Sequence, residues 1–209
     1  VFQNWSQVDG TAAKYAGAQP GDLIFVDSNN DGKITEDDRT QIGNPHPDFT
    51  MGLNLNFSYK GFDLNITGAG AFGQQIAKSY RSFADSPLQN YTTDIFGRWT
   101  GEGTSNKLPR LTSGSHTNWQ NISDIYIEDG DYLKIQNLTI GYDFKKLFPT
   151  MPLGQARLYL TAQNLFTFTG YSGMDPEIGY GYDKSWVSGI DLGYYPSPRT
   201  YMVGVNLKF

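Results

Sequence analysis

Residues 27–38 read DSNNDGKITEDD, the densest run of metal-type oxygens in the chain. They fit D-x-N-x-D-G-x-I-x-x-x-D, close to a calcium loop. Asp27, Asn29 and Asp31 would supply side-chain oxygens, and Gly32 permits the sharp turn. Lys33 would offer its backbone carbonyl, Thr35 or a water the next position, and Asp38 the last ligand. The full pattern wants a bidentate Glu there, and Asp is shorter. The expected role is structural, a Ca2+ ion pinning a loop. The alternative is an acidic Asx-rich turn that orders without metal.

Other candidate chemistry is thinner. GAGAFG (68–73) matches G-x-G-x-x-G after a strand, but a dinucleotide site also needs a helix and a second buried parallel strand. QQIAKSYRSFADSP would make a short helix, LQNYTTDIFGRW is a poor buried strand, and no βαβ rhythm follows. Small residues on a strand instead allow close packing or a bend. There is no cysteine, and His46 and His116 are the only histidines, so thiolate and multi-histidine metal centres are excluded. The carboxylates at 36–38 have no neighbouring base or nucleophile, so no catalytic residue is assigned and no enzyme is expected. The net charge of −5 and pI near 4.9 argue against a nucleic-acid partner. Aromatic residues crowd two segments: Phe166, Phe168, Tyr171, Tyr180, Tyr182, Trp186, Tyr194 and Tyr195 in one, Tyr80, Tyr91, Trp99 and Trp119 in the other. They suit stacking on sugars, gripping peptide side chains, loop self-packing or contact with a partner protein.

The elements that would position these groups are strands. Phe49, Met51, Leu53, Leu55, Phe57 and Tyr59 alternate with Thr50, Gly52, Asn54, Asn56, Ser58 and Lys60. A helix would not give that period of two. After Lys60-Gly61 the apolar set moves to Phe62, Leu64 and Ile66, as a two-residue hairpin turn requires if both strands keep one apolar face. Tyr59 and Phe62 beside that turn resemble half of an interfacial girdle. YLKIQNLTIGYDF (132–144) changes phase near Gln136, which predicts a bulge or a change of environment. QARLYLTAQNLF (155–166) and YMVGVNLKF (201–209) alternate again. Lys134, Arg157 and Lys208 fall opposite the apolar sides of their strands. His46 reads as part of a Pro-rich turn.

Residues 1–48 read as mostly loop with short strands, for example DLIFVD at 22–27. Residues 49–209 read as five strands, with long connections at about 73–130 and 167–199. No stretch is long and apolar enough for a transmembrane helix, which says nothing against barrel strands of about 9–11 alternating residues. Alternating short turns and long loops are the layout of an outer-membrane barrel. The turns at 60–61 and 145–154 would then face the periplasm, with the C-terminus there too, and the long loops would be extracellular. Five strands cannot close such a barrel, so the expected fold is all-β: antiparallel strands of a larger transmembrane barrel, completed by the rest of a longer protein or by other chains. Val1 follows no basic or apolar leader, so a removed signal or a longer parent chain is expected.

The segment PGDLIFVDSNNDGKITEDDRTQIGNPHPDFTMGLNLNFSYKGFDLNI resembles the C-terminal region of SusC/RagA-type TonB-dependent outer-membrane transporters. YLKIQNLTIGYDF, LYLTAQNLFTFTGYSGMDPE and YPSPRTYMVGVNLKF agree, in order and nearly end to end. The resemblance implies the last five strands of a large, about 22-stranded barrel with a plugged lumen. It also implies a SusD-like surface lipoprotein as partner, TonB acting through a plug outside this chain, and outer-membrane lipid around the wall. The implied activity is nutrient import, of oligosaccharides or alternatively of peptides. Phe209 resembles the signal read by barrel-assembly machinery. The competing expectation is a secreted, calcium-binding all-β module for glycans, with a dockerin-like loop. The two part on one observation: in the module, the odd-numbered side chains of 49–59 would lie beneath a second layer.

Overall fold

A computed structural model describes residues 1–79, 93–112, 116–178, 189–193 and 195–209. These residues divide into two compact units, 1–43 with 78–127 and 44–77 with 128–209.

The strands follow one another as β1 (Phe49–Tyr59), β2 (Phe62–Phe72), β3 (Gln75–Lys78), β4 (Ile127–Asp129), β5 (Tyr132–Asp143), β6 (Gln155–Thr169), β7 (Ile190–Asp191) and β8 (Thr200–Lys208). The second unit is built on one antiparallel sheet of five strands, in the spatial order β1-β2-β5-β6-β8. A smaller sheet has the order β4-β3-β7. Residues 75–78 are therefore strand, where the sequence suggests the start of a short helix. The remainder of that expected helix lies largely outside the described residues.

The hairpin turn forms as expected. Lys60 (φ 47°) and Gly61 (φ 95°) both take left-handed backbone, and Tyr59 pairs with Phe62. The phase change at Gln136 is a bulge: Thr67 pairs with Asn137, but Gly68 pairs with Ile135. One extra residue on β5 returns Leu133 and Ile135 to the face that carries Leu138, Ile140 and Tyr142. A compensating irregularity on β6 surrounds Asn164, whose φ is 50°.

The first unit is mostly loop. Its helix α1 (Trp5–Gly10) starts at Asn4, whose side chain accepts the Gln7 N–H. Residues 22–27, expected as a strand, join no ladder. Gly21 (φ 91°) lies where three segments meet: its N–H donates to the Phe2 carbonyl, and its own carbonyl accepts from Arg110 N. A side chain there would run into Trp99 and stand 2.8 Å from Arg110 Cβ. Phe2, Val8 and Trp119 form the buried apolar centre.

Candidate functional site: the two faces of the wall

The register assigns every strand of the five-stranded sheet the same two sides. Leu55 opposes Ile66, Ile66 opposes Leu138, Leu138 opposes Ala162 and Ala162 opposes Tyr201. This side is exposed on β1, β6 and β8, where Leu55 is 52%, Leu160 49% and Val203 74% accessible, and half-buried at Ile66 and Leu138 on the inner strands; Ala162 is covered by its neighbours in the sheet. The odd-numbered residues of β1 are exposed or half-buried, with no layer over them. Among the described residues, the largest fully buried side chains include none from this sheet. A soluble sandwich would need the reverse, because its stability comes from burying one face. The glycan-module expectation fails on this point.

Aromatic pairs border the apolar side at both ends. Phe49 stacks on Phe72 at 4.9 Å between ring centres, and Phe166 meets Phe168 at 4.6 Å. At the turn end Phe62 meets Tyr142 at 4.4 Å. Eleven residues at about 3.3 Å each, tilted by about 45°, give a band roughly 25 Å tall. Phe166 and Phe168, expected in a loop, belong to the apolar face of β6, because that strand continues to Thr169.

The opposite side is polar and cross-linked. Asn54 accepts from Asn56 at 2.9 Å, and Asn56 accepts from Asn65 at 2.6 Å. The hydroxyls of Thr139 and Thr161 lie 2.9 Å apart. Asp63 on β2 and Arg157 on β6 pair across the intervening strand, with Arg157 Nε donating to Asp63 Oδ1 at 2.8 Å and Nη2 to Oδ2 at 2.5 Å. Gly141 makes this possible, since a Cβ there would stand 2.6 Å from both Arg157 Nε and Asp63 Oδ1. The guanidinium also lies over the Tyr159 ring, which uses the space left by Gly204. Near the other end, Lys134 is 3% accessible and donates to Glu177 at 2.6 Å, with Asp175 at 3.6 Å. Segment 170–178 is thereby tied to the polar face, helped by the Tyr171 hydroxyl donating to Asp191 and by Ser172 bonding Glu128. Lys134 and Arg157 thus avoid the apolar side, as alternation requires, and Lys208 shares their side through its pairing with Gln155.

In the first unit, the calcium-type loop is wound around its own carboxylates. Asp27 accepts from the N–H groups of Asp31 and Gly32, Asp31 from Lys33, and Asp38 from Ser28 and Thr35. Asn29 accepts from Asp31 N, and Gly32 supplies the turn at φ 83°. The Thr35 backbone hydrogen bond, first among several, holds the Asp38 carboxyl below its ordinary range. Among the described residues no three acidic or histidine side chains converge as an ion's cage. Each carboxylate oxygen retains a second lone pair, so the donor set suits Ca2+ in type.

A second cluster carries no sequence signal. Asp22, 3% accessible, accepts from Arg110 Nε at 2.7 Å and from Asn118 Nδ2 at 3.0 Å. His116 accepts the Asn118 N–H, capping α2 (Thr117–Gln120), and Trp119 donates to Thr112. Asp22 lies 88 positions from Arg110 and 96 from Asn118, so only the folded chain reveals them as one group. Of the singled-out aromatics, Trp119 and Tyr171 are buried and Tyr195 is exposed. Tyr80, Tyr91, Tyr180, Tyr182, Trp186 and Tyr194 lie outside the described residues. His46 is exposed, its N–H bonded to Asn44 in the expected turn, and Phe209 is 93% accessible beyond β8.

An open antiparallel sheet with an uncovered apolar band and a cross-linked polar face is the wall of an outer-membrane-type β-barrel. Comparison with known proteins narrows the class. The chain is 36% identical over 214 residues to TonB-dependent receptor P3 of Formosa agariphila, covering 100% of this chain and 21% of that protein. TonB-dependent receptor SusC of Bacteroides thetaiotaomicron is 29% identical over 193 residues, 91% of this chain and 18% of that one. The RagAB peptide importer in its closed-closed state superposes with a TM-score of 0.65 at 27% identity, over 85% of this chain and 19% of that one. No family model matches the chain. From end to end the chain matches one segment of TonB-dependent receptors such as P3 and SusC, and it spans about a fifth of the length of the curated relatives it matches.

Proposed function

We propose that this chain supplies part of the wall of a TonB-dependent importer of nutrients in the outer membrane. The observation that carries the reading is the exposed apolar side, continuous in register across five strands and bordered by aromatic rings. Hydrocarbon is the solvent such a face needs, and the polar side then faces a lumen. The edges β1 and β8 each leave a row of backbone groups for neighbouring strands of the complete barrel. In this reading the turns 60–61 and 145–154 face the periplasm, and the segments within 73–130 and 167–199 face outside.

Import makes and breaks no covalent bond in the cargo. TonB would act on a plug within the complete barrel, and a SusD-like surface lipoprotein would close over the outer side. The proposed cargo is an oligosaccharide, because amides and hydroxyls such as Asn54, Asn56, Thr139 and Thr161 dominate the polar face while Arg157 and Lys134 are already paired. Peptide is the second reading, favoured by the likeness to the RagAB peptide importer. Uptake of labelled oligosaccharides and of labelled peptides by cells bearing the intact receptor decides the cargo. Uptake of neither, with the receptor correctly assembled, would overturn the importer reading.

The loop 27–38 is proposed to hold a structural Ca2+ through Asp27, Asn29, Asp31, the Lys33 carbonyl and Asp38, supported by donor type and a turn already wound. Calorimetry on the intact receptor should show calcium binding, and chelation should speed hydrogen exchange over 22–42. Failure to bind at millimolar calcium removes the ion and leaves the wall untouched.

A further inference from the structure

The turn end of the wall carries a collar of aromatic rings and lysines. Four rings adjoin there. Tyr59 opposes Phe62 in register, Phe62 lies 4.4 Å from Tyr142, and Tyr142 meets Phe144 edge-on at 5.2 Å. Lys60 folds back so that its ammonium lies 5.2 Å from the centre of the Tyr59 ring. Tyr59 belongs to the apolar side, so this cation is on the lipid side of the turn. Lys146 approaches from the neighbouring turn and packs over Gly61, where an added Cβ would stand 3.0 Å from Lys146 Cβ.

Nearby groups leave both cations available. Asp143 accepts from the N–H groups of Lys145 and Ala156, and Lys145 donates to the carbonyls of Pro149 and Met151. Asp63 is paired with Arg157 on the polar side. Among the described residues neither Lys60 nor Lys146 forms an ion pair, and Leu147 and Phe148 stand exposed beside Lys146. The opposite rim also has rings, but its charge is mostly of the other sign. Asp48, Glu128, Asp129 and Asp131 gather there, alongside an exposed Arg199.

We propose that the turn end of the wall binds anionic phospholipid, with Lys60 and Lys146 on the headgroup phosphate and the acyl chains along Tyr59, Phe62 and Tyr142. The inference rests on the wall reading. Rings at the edge of an apolar band sit at headgroup depth, and lysines extend their stems along apolar surface to place ammonium groups there. A soluble anion would satisfy the lysines but has no use for the rings or for exposed Leu147 and Phe148. Lipid satisfies both.

The test uses the intact receptor in phosphatidylcholine vesicles, with and without phosphatidylglycerol, and native mass spectrometry of the extracted protein. The wild type should retain phosphatidylglycerol in preference to phosphatidylcholine. The K60Q/K146Q double variant should lose about fivefold in that preference per lysine removed, with assembly and uptake unchanged. Equal retention by wild type and variant overturns the proposal, and so does equal stabilisation by inorganic phosphate in detergent without lipid. Leu55→Arg, at mid-band, is the separating control. If it blocks insertion while K60Q/K146Q retains its lipid, the collar is wrong and the wall stands. If it inserts normally, the wall reading itself has failed.

Discussion

The two units of this chain satisfy their polar groups in opposite ways. In the wall, backbone N–H and C=O groups pair in ladders over five strands, and side chains sort strictly by side. In the unit of 1–43 with 78–127, isolated backbone bonds such as those of Gly21 are joined by side chains that take up backbone N–H groups: Asp22 and Asn118 in the interior, Asp27, Asp31 and Asp38 in the acidic loop. The solvent explains the difference. Hydrocarbon offers no hydrogen bonds, so a segment within it must pair its own backbone. Water tolerates irregular chain, provided that the interior groups it cannot reach find partners. With the wall placed in lipid as proposed, regularity marks the membrane and irregularity the aqueous part.

That contrast can be broken at specific residues. The largest effect is expected at Asp22→Ala, which strands Arg110 and Asn118 around a nearly closed site. A loss of about 3–5 kcal/mol is the scale for removing one partner of such a pair. Hydrogen exchange in the intact receptor should rise around 20–23 and 116–119 and stay unchanged in β1 and β8. Spread of the effect into the wall would show that the two regions are not separately maintained. Next comes Leu55→Arg, which should cost about 2–4 kcal/mol of barrel stability and reduce the amount assembled in the membrane. The same change at Asn54, one residue away on the polar side, should be tolerated, and equal damage at both would refute the sidedness.

Gly141→Ala should separate Asp63 from Arg157 by overpacking, at about 1–3 kcal/mol. Gly52→Ala, also on the polar side, meets nothing within 4 Å and should change stability little. A similar cost at both glycines would remove the cross-strand role of Gly141. The smallest effect concerns acid. The Asp38 carboxyl is held below its ordinary value of 3.8, so its contribution is present above that pH. The contribution is lost only as pH falls through the lower folded value. Exchange protection over 27–38 should therefore persist on acidification down to the ordinary carboxylate range. Asp38→Ala should abolish that protection at neutral pH, and retention of protection by the variant would show that Asp38 does not organise the loop.

Alternation alone makes the wall legible. Residues 49–59, 62–66 and 201–207 each declare two sides, and the parity switch at Lys60-Gly61 declares a turn. The phase slip at Gln136 is visible too, though either a bulge or a new environment would produce it. DLIFVD misleads because apolar residues in a loop-rich unit can pack without joining a ladder. QQIAKSYRSFADSP misleads at 75–78, where pairing with the distant strands β4 and β7 outweighs local preference.

Period-two sorting is local, so the sequence by itself determined that these segments are strands, which side chains share a face, and where the hairpin turns. The partners of Asp22, the bridge from Arg157 over Gly141 to Asp63, and the burial of Lys134 against Glu177 belong to the tertiary structure alone. Each joins residues tens of positions apart, and the meeting of such residues is set by register and packing, which no short window of sequence contains.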